Sequence, residues 1–291
     1  MMTYSEFKEQ LKNQVQEQFE KRTVILDEVV KRNDTKLACI TFKEKDGVTP
    51  RIYLDGLYQS FLIGNNDELD EIADMVTNLL KNNDMIKENI LTSVPESWEE
   101  AESKIHLAFV KKEWNQKWLE NLLYMEYLDF AVVFEVHTQF GSEENAKIMI
   151  TNDIIDKWNV SLDEVWEAAK KNLFQENFMI VSLEKFLGME VMGKLPVMFV
   201  MTSDDRLGGS AALYRKDLLK EFADEKETDL YIIPSSMDEL LLVEKTEDVS
   251  VDELRAMVKI VNSDPQSIKP EECLSDEIYL YERESNKLLI V

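Results

Sequence analysis

Three times in this chain a hydroxyl residue stands three positions before a glutamate, at the head of a one-sided apolar stripe. The pairs are Thr3 with Glu6, Ser161 with Glu164, and Ser250 with Glu253. This is capping-box spacing: the hydroxyl accepts from a backbone N–H one turn on, and the glutamate reaches back. The stripes behind them run Tyr4, Phe7, Leu11, Val15 and Phe19, then Leu162, Val165, Ala169 and Leu173, then Val251, Leu254, Met257, Val258 and Val261. Apolar residues at that period place each helix with one face on a core. Two more helices are predicted, one starting near Asp67 with Leu69, Ile72, Ala73, Val76, Leu79 and Leu80 inward, one after Asp217 with Leu218, Leu219, Phe222 and Ala223.

Between the helices lie short β-like runs. Thr23 to Val30, Leu37 to Phe42 and Arg51 to Leu54 follow the first helix and predict an antiparallel meander. The turn Lys45-Asp46-Gly47 suits a hairpin, because glycine accepts positive φ. Further strands are predicted at Ile105–Val110, Phe130–Val136, Ala146–Ile150, Phe178–Leu183, Val197–Met201, Leu230–Ile233, Leu240–Val243, Ile278–Tyr281 and Leu288–Val291. Strands come in groups instead of alternating with helices. The fold class expected is therefore α+β, with antiparallel or mixed sheets covered by amphipathic helices. Length allows two subdomains, 1–95 and 104–291, or one large domain. The least structured stretches expected are Thr92–Ser103, Gly141–Asn145 and Asp264–Glu272.

Charge narrows the partners. With 58 Asp and Glu against 33 Lys and Arg, the formal charge is −25. Nucleic-acid backbones and anionic membrane surfaces need clustered cations, and only pairs such as Lys111-Lys112 and Lys170-Lys171 occur. Excess carboxylates of this kind keep a protein in solution, which is the first reading; the alternative is that they steer a basic or unfolded protein partner towards the surface. The expected location is cytoplasmic: residues 1–6 have neither the basic nor the apolar region of a signal peptide, and no run reaches the ~18 apolar residues of a membrane span. Cys39, inside an apolar run, reads as a core thiol; Cys273 follows Pro270 in a polar segment, and a disulfide between the two stays open.

Several segments carry a resemblance. They are Val48-Thr49-Pro50-Arg51-Ile52-Tyr53-Leu54, Leu128-Asp129-Phe130-Ala131-Val132-Val133, Ile150-Thr151-Asn152 with Trp158, Leu230-Tyr231-Ile232-Ile233-Pro234-Ser235-Ser236, and Leu274-Ser275-Asp276 with Tyr279. Through them most of the chain resembles an uncharacterised bacterial family, the domain-of-unknown-function family numbered 5688. Around Ala168-Ala169 and Asn172-Leu173 it is also distantly similar to the YtpQ-like proteins. Neither resemblance implies an activity or assigns a role to any residue.

Candidate chemistry is sparse. The two histidines, His106 and His137, fall within predicted strands and lack the close ligand spacing of a metal site. They read as ordinary strand side chains, and whether they meet in space is open. From Asp153 the calcium-loop pattern fails at Ile155. No metal and no cofactor is expected. Gly208-Gly209-Ser210 matches neither a phosphate loop nor a nucleophile elbow; it suits a tight turn into the helix near Asp217, or an anion at a helix start.

Ser235 and Ser236 follow a strand that stops at Pro234, and read as caps, with Glu239 completing a box from Ser236; a nucleophile or hydrogen-bonding role is the alternative. Arg51, in an apolar strand, needs a carboxylate if it points inward, and reads as an ion pair before an anion site. Asn152 reads as helping to start a turn or helix near Ile154. Trp114 and Trp118, four apart, are expected on one helical face.

The expected function is non-catalytic: a protein-binding module with an acidic surface. The opening order of helix, strands and helices is similar to small acidic bacterial chaperones, at the level of fold alone. The alternative is a hydrolase or transferase with a site assembled near Arg51, Asn152 and Ser235/Ser236. A third reading, an acidic face that mimics nucleic acid, needs phosphate-like spacing of the carboxylates.

Overall fold

The computed structural model describes residues 2–43, 50–64, 69–93, 95–140, 144–188, 196–204 and 208–291. The expected turn at Lys45-Asp46-Gly47 and the helix start near Asp67 lie outside them. The chain divides into two compact units, one of Met1–Lys31, Thr35–Val94 and Gln139–Asn145, the other of Arg32–Asp34, Pro95–Thr138 and Ala146–Val291.

In the first unit, the Thr3–Glu6 box is complete and opens α1 (Tyr4–Glu17), whose Phe7, Leu11 and Val15 are buried. Strands β1 (Val24–Val30), β2 (Lys36–Phe42) and β3 (Ile52–Tyr53) form the antiparallel meander, with Val24 opposite Phe42 and Val30 opposite Lys36. Helices α2 (Asp55–Ile63) and α3 (Leu69–Ser93) complete the unit. Its core joins Phe7, Leu11, Ile40, Phe61, Val76 and Leu80, with the Phe7 and Phe61 rings 5.2 Å apart.

The second unit opens with α4 (Trp98–Ala101) and a four-stranded sheet. Its strands are β4 (Ile105–Lys111), β5 (Tyr124–Tyr127), β6 (Phe130–Phe140) and β7 (Glu144–Met149). Both β4 and β5 pair antiparallel with β6, and β7 pairs with β6 as well. Then come α5 (Asn152–Trp158), α6 (Leu162–Leu173), β8 (Phe178–Ser182), α7 (Leu183–Leu187), β9 (Met198–Ser203), α8 (Lys216–Lys226), β10 (Leu230–Ile233), β11 (Leu240–Glu244), α9 (Val251–Asn262), β12 (Tyr279–Glu282) and β13 (Lys287–Ile290). The last six strands form one sheet in the order β13-β12-β10-β11-β9-β8, with every neighbouring pair antiparallel.

The run Leu230-Tyr231-Ile232-Ile233 is continuously apolar because its sheet is covered on both faces. Leu230 and Ile232 enter the main core with Leu107, Phe109, Phe134 and the α6 residues Val165 and Ala169. Tyr231 and Ile233 turn the other way, against Leu254 and Val258 of α9. Period-two alternation thus splits one strand between two cores.

The Ser161–Glu164 box is complete. At Ser250 the forward bond alone is found among the described residues, from Glu253 N–H to Ser250 Oγ at 3.4 Å. Several expectations need correction. Leu79 and Val261, expected on inward stripes, are 43% and 44% exposed. Trp114 and Trp118 sit on separate short 3-10 turns, Lys112–Asn115 and Trp118–Asn121, so they share no helical face. The Asp34 carboxylate accepts from the N–H groups of both Lys117 and Trp118 at the second turn. Strand β5 is an addition to the expected set; Leu128, at φ 54°, makes the tight turn that joins it to β6.

Candidate functional site

The two histidines meet. His106 on β4 lies opposite Glu135 on β6, and His137 is two residues further along the same face. The imidazole rings stack at 3.7 Å between centroids, 10° from parallel. His106 Nδ1 faces Glu176 Oε1 at 2.6 Å. Glu135, 1% exposed, faces the cations Arg32 (Nη2 at 3.4 Å) and Lys147 (Nζ at 3.8 Å), with His137 Nε2 at 3.6 Å. Burial raises the Glu135 carboxyl, and the facing His137, Lys147 and Arg32 more than reverse this, leaving it below the ordinary carboxylate range. The 3.6 Å separation is too long for a hydrogen bond, and His137 Nε2 has no hydrogen-bond partner among the described residues. Both Glu135 oxygens face cations, so the carboxylate is committed to holding β6, β7 and Arg32 together.

A second network explains several residues behind the family resemblance. Asp129, in the β5–β6 turn, pairs with buried Lys111 and accepts from the Tyr279 hydroxyl at 2.7 Å. Ser275 Oγ lies 3.3 Å from the same hydroxyl. Tyr279 is fully buried, and that burial pushes its phenol far above the ordinary value. Trp158 donates from Nε1 to the Pro95 carbonyl at 3.0 Å.

The glycine cluster and the serine segment interlock. Gly209 passes so close to Asp238 that an added Cβ would lie 1.9 Å from its carbonyl oxygen. Ser210 N–H donates to Met237 O at 2.9 Å, Gly208 N–H to Asp238 Oδ1 at 3.0 Å, and Thr202 Oγ1 to Asp238 O at 2.6 Å. Gly209 begins a 3-10 stretch, Gly209–Tyr214, and Arg215 precedes α8. The turn is therefore used for close backbone packing.

The expected box from Ser236 to Glu239 is not the one formed. Ser235 Oγ donates to Glu239 Oε1 at 3.0 Å, while Ser236 Oγ accepts from Asp238 N–H at 3.0 Å. Arg51 lies just before β3 in the first unit, half-exposed, 3.7 Å from Asp27. Asn152 is the exposed first residue of α5. Ser235 and Ser236 thus bond within their own turn, and Arg51 takes an acidic neighbour in its own unit. Cys39 and Cys273 are both free and buried; burial raises both thiols, that of Cys273 to about 11.

A groove of about 500 Å³ lies beside the N-terminal half of α9 in the second unit. Ser250 starts this helix, and Leu254 and Val258 turn onto the sheet. Asp252 and Glu253 in its first turn suit the positive end of the helix dipole. The connection from β11 folds back through a turn closed by Val249 N–H on Thr246 O at 3.2 Å. Pro196 and Val197, leading into β9, form another wall. The floor is apolar, with Val243, Val249, Leu254 and Met257, and Val197 in the wall is 67% exposed. Among the described residues, the charged ones that line it are all acidic: Glu244, Asp248 and Glu253.

No local sequence signal singles out this groove. Its acids and Val249 form one readable cluster around the start of α9, but Val197 is remote in sequence and joins them only when β9 pairs with β11. Among the described residues, no group of three or more His, Cys, Asp and Glu is placed to hold a metal ion, and no helix is long and apolar enough to cross a membrane.

A family model described as a family of unknown function, DUF5688, matches residues 4–283. No curated protein and no solved structure matches the chain.

Proposed function

The chain belongs to the DUF5688 family, whose function is unknown, and we propose that it is a non-catalytic protein-binding module that docks a basic segment of another protein. The observation that supports this is the α9 groove, where an open apolar floor is rimmed by Glu244, Asp248 and Glu253, with no cation in the lining among the described residues. An aliphatic or aromatic anchor on the floor removes apolar surface from water, at about 25 cal/mol per Å² buried. Lysines and arginines flanking that anchor meet the rim, and the chain's charge of −25 steers them to it. Two features thereby select the partner: an apolar residue that must be accessible, and positive charge on both sides of it. A disordered or unfolded basic segment offers both.

The test is fluorescence anisotropy with a labelled peptide carrying one leucine anchor between lysines, at increasing salt. The reading expects saturable binding that weakens steeply as ionic strength rises from about 0.05 to 0.5 M, since the Debye length shrinks over that range. Glutamates in place of the lysines should abolish binding, and alanine in place of the leucine should weaken it. Equal binding of the lysine and glutamate peptides would remove the reading.

A further inference from the structure

A second groove, of about 520 Å³, runs along α6 on the side away from its buried stripe of Val165, Ala169 and Leu173. One wall is α6, presenting Asp163, Glu164, Glu167 and Lys171; the other is Trp98, Glu102 and Ser103. We propose that this groove is a docking surface for an arginine side chain of a basic polypeptide, with the guanidinium lying on the Trp98 indole between Glu102 and Asp163.

The groove is held in shape before any ligand arrives. Asn172 Nδ2 donates to Glu102 O at 2.7 Å and to Ile105 O at 3.0 Å, which ties α6 to the opposite wall. Trp98 is half-buried and packs on Trp158 with ring centroids 6.1 Å apart, so the indole that lines the groove is braced by a second ring.

Charge decides what enters. Among the described residues, four carboxylates line the groove against one lysine. Glu164 is committed to its capping box with Ser161, and Glu167 pairs with Lys170 at 2.6 Å. Glu102 and Asp163 have no ion pair among the described residues, and both are exposed. Two uncommitted carboxylates beside an aromatic face suit a planar cation. A guanidinium can stack on an indole and still present its edge N–H groups to carboxylates, whereas an ammonium is a more strongly hydrated point charge. The surface thus distinguishes arginine from lysine, which the α9 groove, with its aliphatic floor, does not.

This inference rests on the protein-binding reading for its ligand class, but its test is kept separate by using peptides that lack an apolar anchor. The full chain is titrated with acetyl-Gly-Arg-Gly-Arg-Gly-amide and its lysine counterpart, and the five tryptophan indole N–H signals are followed by NMR. Trp98→Phe identifies the Trp98 signal. The arginine peptide should move that signal, and should bind more tightly than the lysine peptide by roughly two- to fivefold. Glu102→Gln and Asp163→Asn, at exposed positions, should each weaken the arginine peptide while leaving the lysine–leucine peptide unchanged. Equal affinity of the two peptides, or an unmoved Trp98 signal, would overturn the proposal. Should the arginine peptide behave as described and the leucine-anchored one not bind, the α9 groove alone is rejected; the opposite pattern rejects the α6 groove alone.

Discussion

Gly209→Ala should damage the second unit out of proportion to the size of a methyl group. The new Cβ would sit 1.9 Å from Asp238 O, where ordinary contact begins near 3.4 Å, so one backbone must retreat by roughly 1.5 Å. That retreat stretches the bonds which lock the two turns: Thr202 Oγ1 to Asp238 O at 2.6 Å, Ser210 N to Met237 O at 2.9 Å, and Gly208 N to Asp238 Oδ1 at 3.0 Å. Overpacking costs about 1–3 kcal/mol, and each lost hydrogen bond about 1 kcal/mol. With partial relaxation, a loss of roughly 3–5 kcal/mol is expected. Gly56, in α2 of the first unit, is the control, because a Cβ added there would meet nothing within 4 Å and its φ is not positive. Gly56→Ala should stabilise by about 0.4–1 kcal/mol through the unfolded chain. Urea unfolding monitored by circular dichroism and tryptophan fluorescence measures both. A Gly209→Ala loss below about 1 kcal/mol would refute the reading of this turn as a steric lock.

Glu135→Gln should cost about 3–5 kcal/mol in urea unfolding, because Arg32 and Lys147 then lose their buried counter-charge; a neutral effect would show the cluster to be solvated. Ser161→Ala should lose about 1 kcal/mol with the α6 cap, and Ser161→Asn should retain most of it. Arg215 holds the Asp217 carboxyl below its ordinary range through a bidentate pair, Nε donating to Oδ1 at 2.9 Å and Nη2 to Oδ2 at 2.8 Å. Its folded value is depressed, so the contribution is present above the unfolded value of about 3.9 and is lost as pH falls through the folded value. Arg215→Met should therefore flatten the acid limb of stability below about pH 4, read by thermal melts at a series of pH values.

The helices are legible because their signals are local. A hydroxyl, a glutamate three residues on and an apolar stripe all lie within one turn or two, and α1, α6 and α9 follow from them. The grouping of strands likewise points to antiparallel sheets, and every strand pairing with a described register is antiparallel. What stays hidden depends on register between distant segments. His106 and His137 stack only because β4 pairs with β6 in the one register that sets His106 opposite Glu135. A shift by one residue would put Glu135 on the other face. Nothing local marks Arg32 as the partner of a carboxylate 103 positions away. The serine segment depends on distant chain in the same way: Ser235 and Ser236 follow a strand end in sequence, and the passage of Gly209 against Asp238 fixes how that segment packs. Asn172 too takes its meaning, as the tie that shapes the α6 groove, from carbonyls about seventy residues earlier.

The partner-binding account is tested most directly by NMR mapping of methyl groups during titration with the lysine–leucine peptide. The shifts should concentrate at Val197, Val249, Leu254 and Met257, and the Glu244→Gln/Glu253→Gln double variant should weaken binding by roughly tenfold, at up to about 1 kcal/mol for each lost exposed charge pair. Shifts scattered over the surface, or an affinity untouched by the double variant, would contradict the claim that this groove recognises a basic segment.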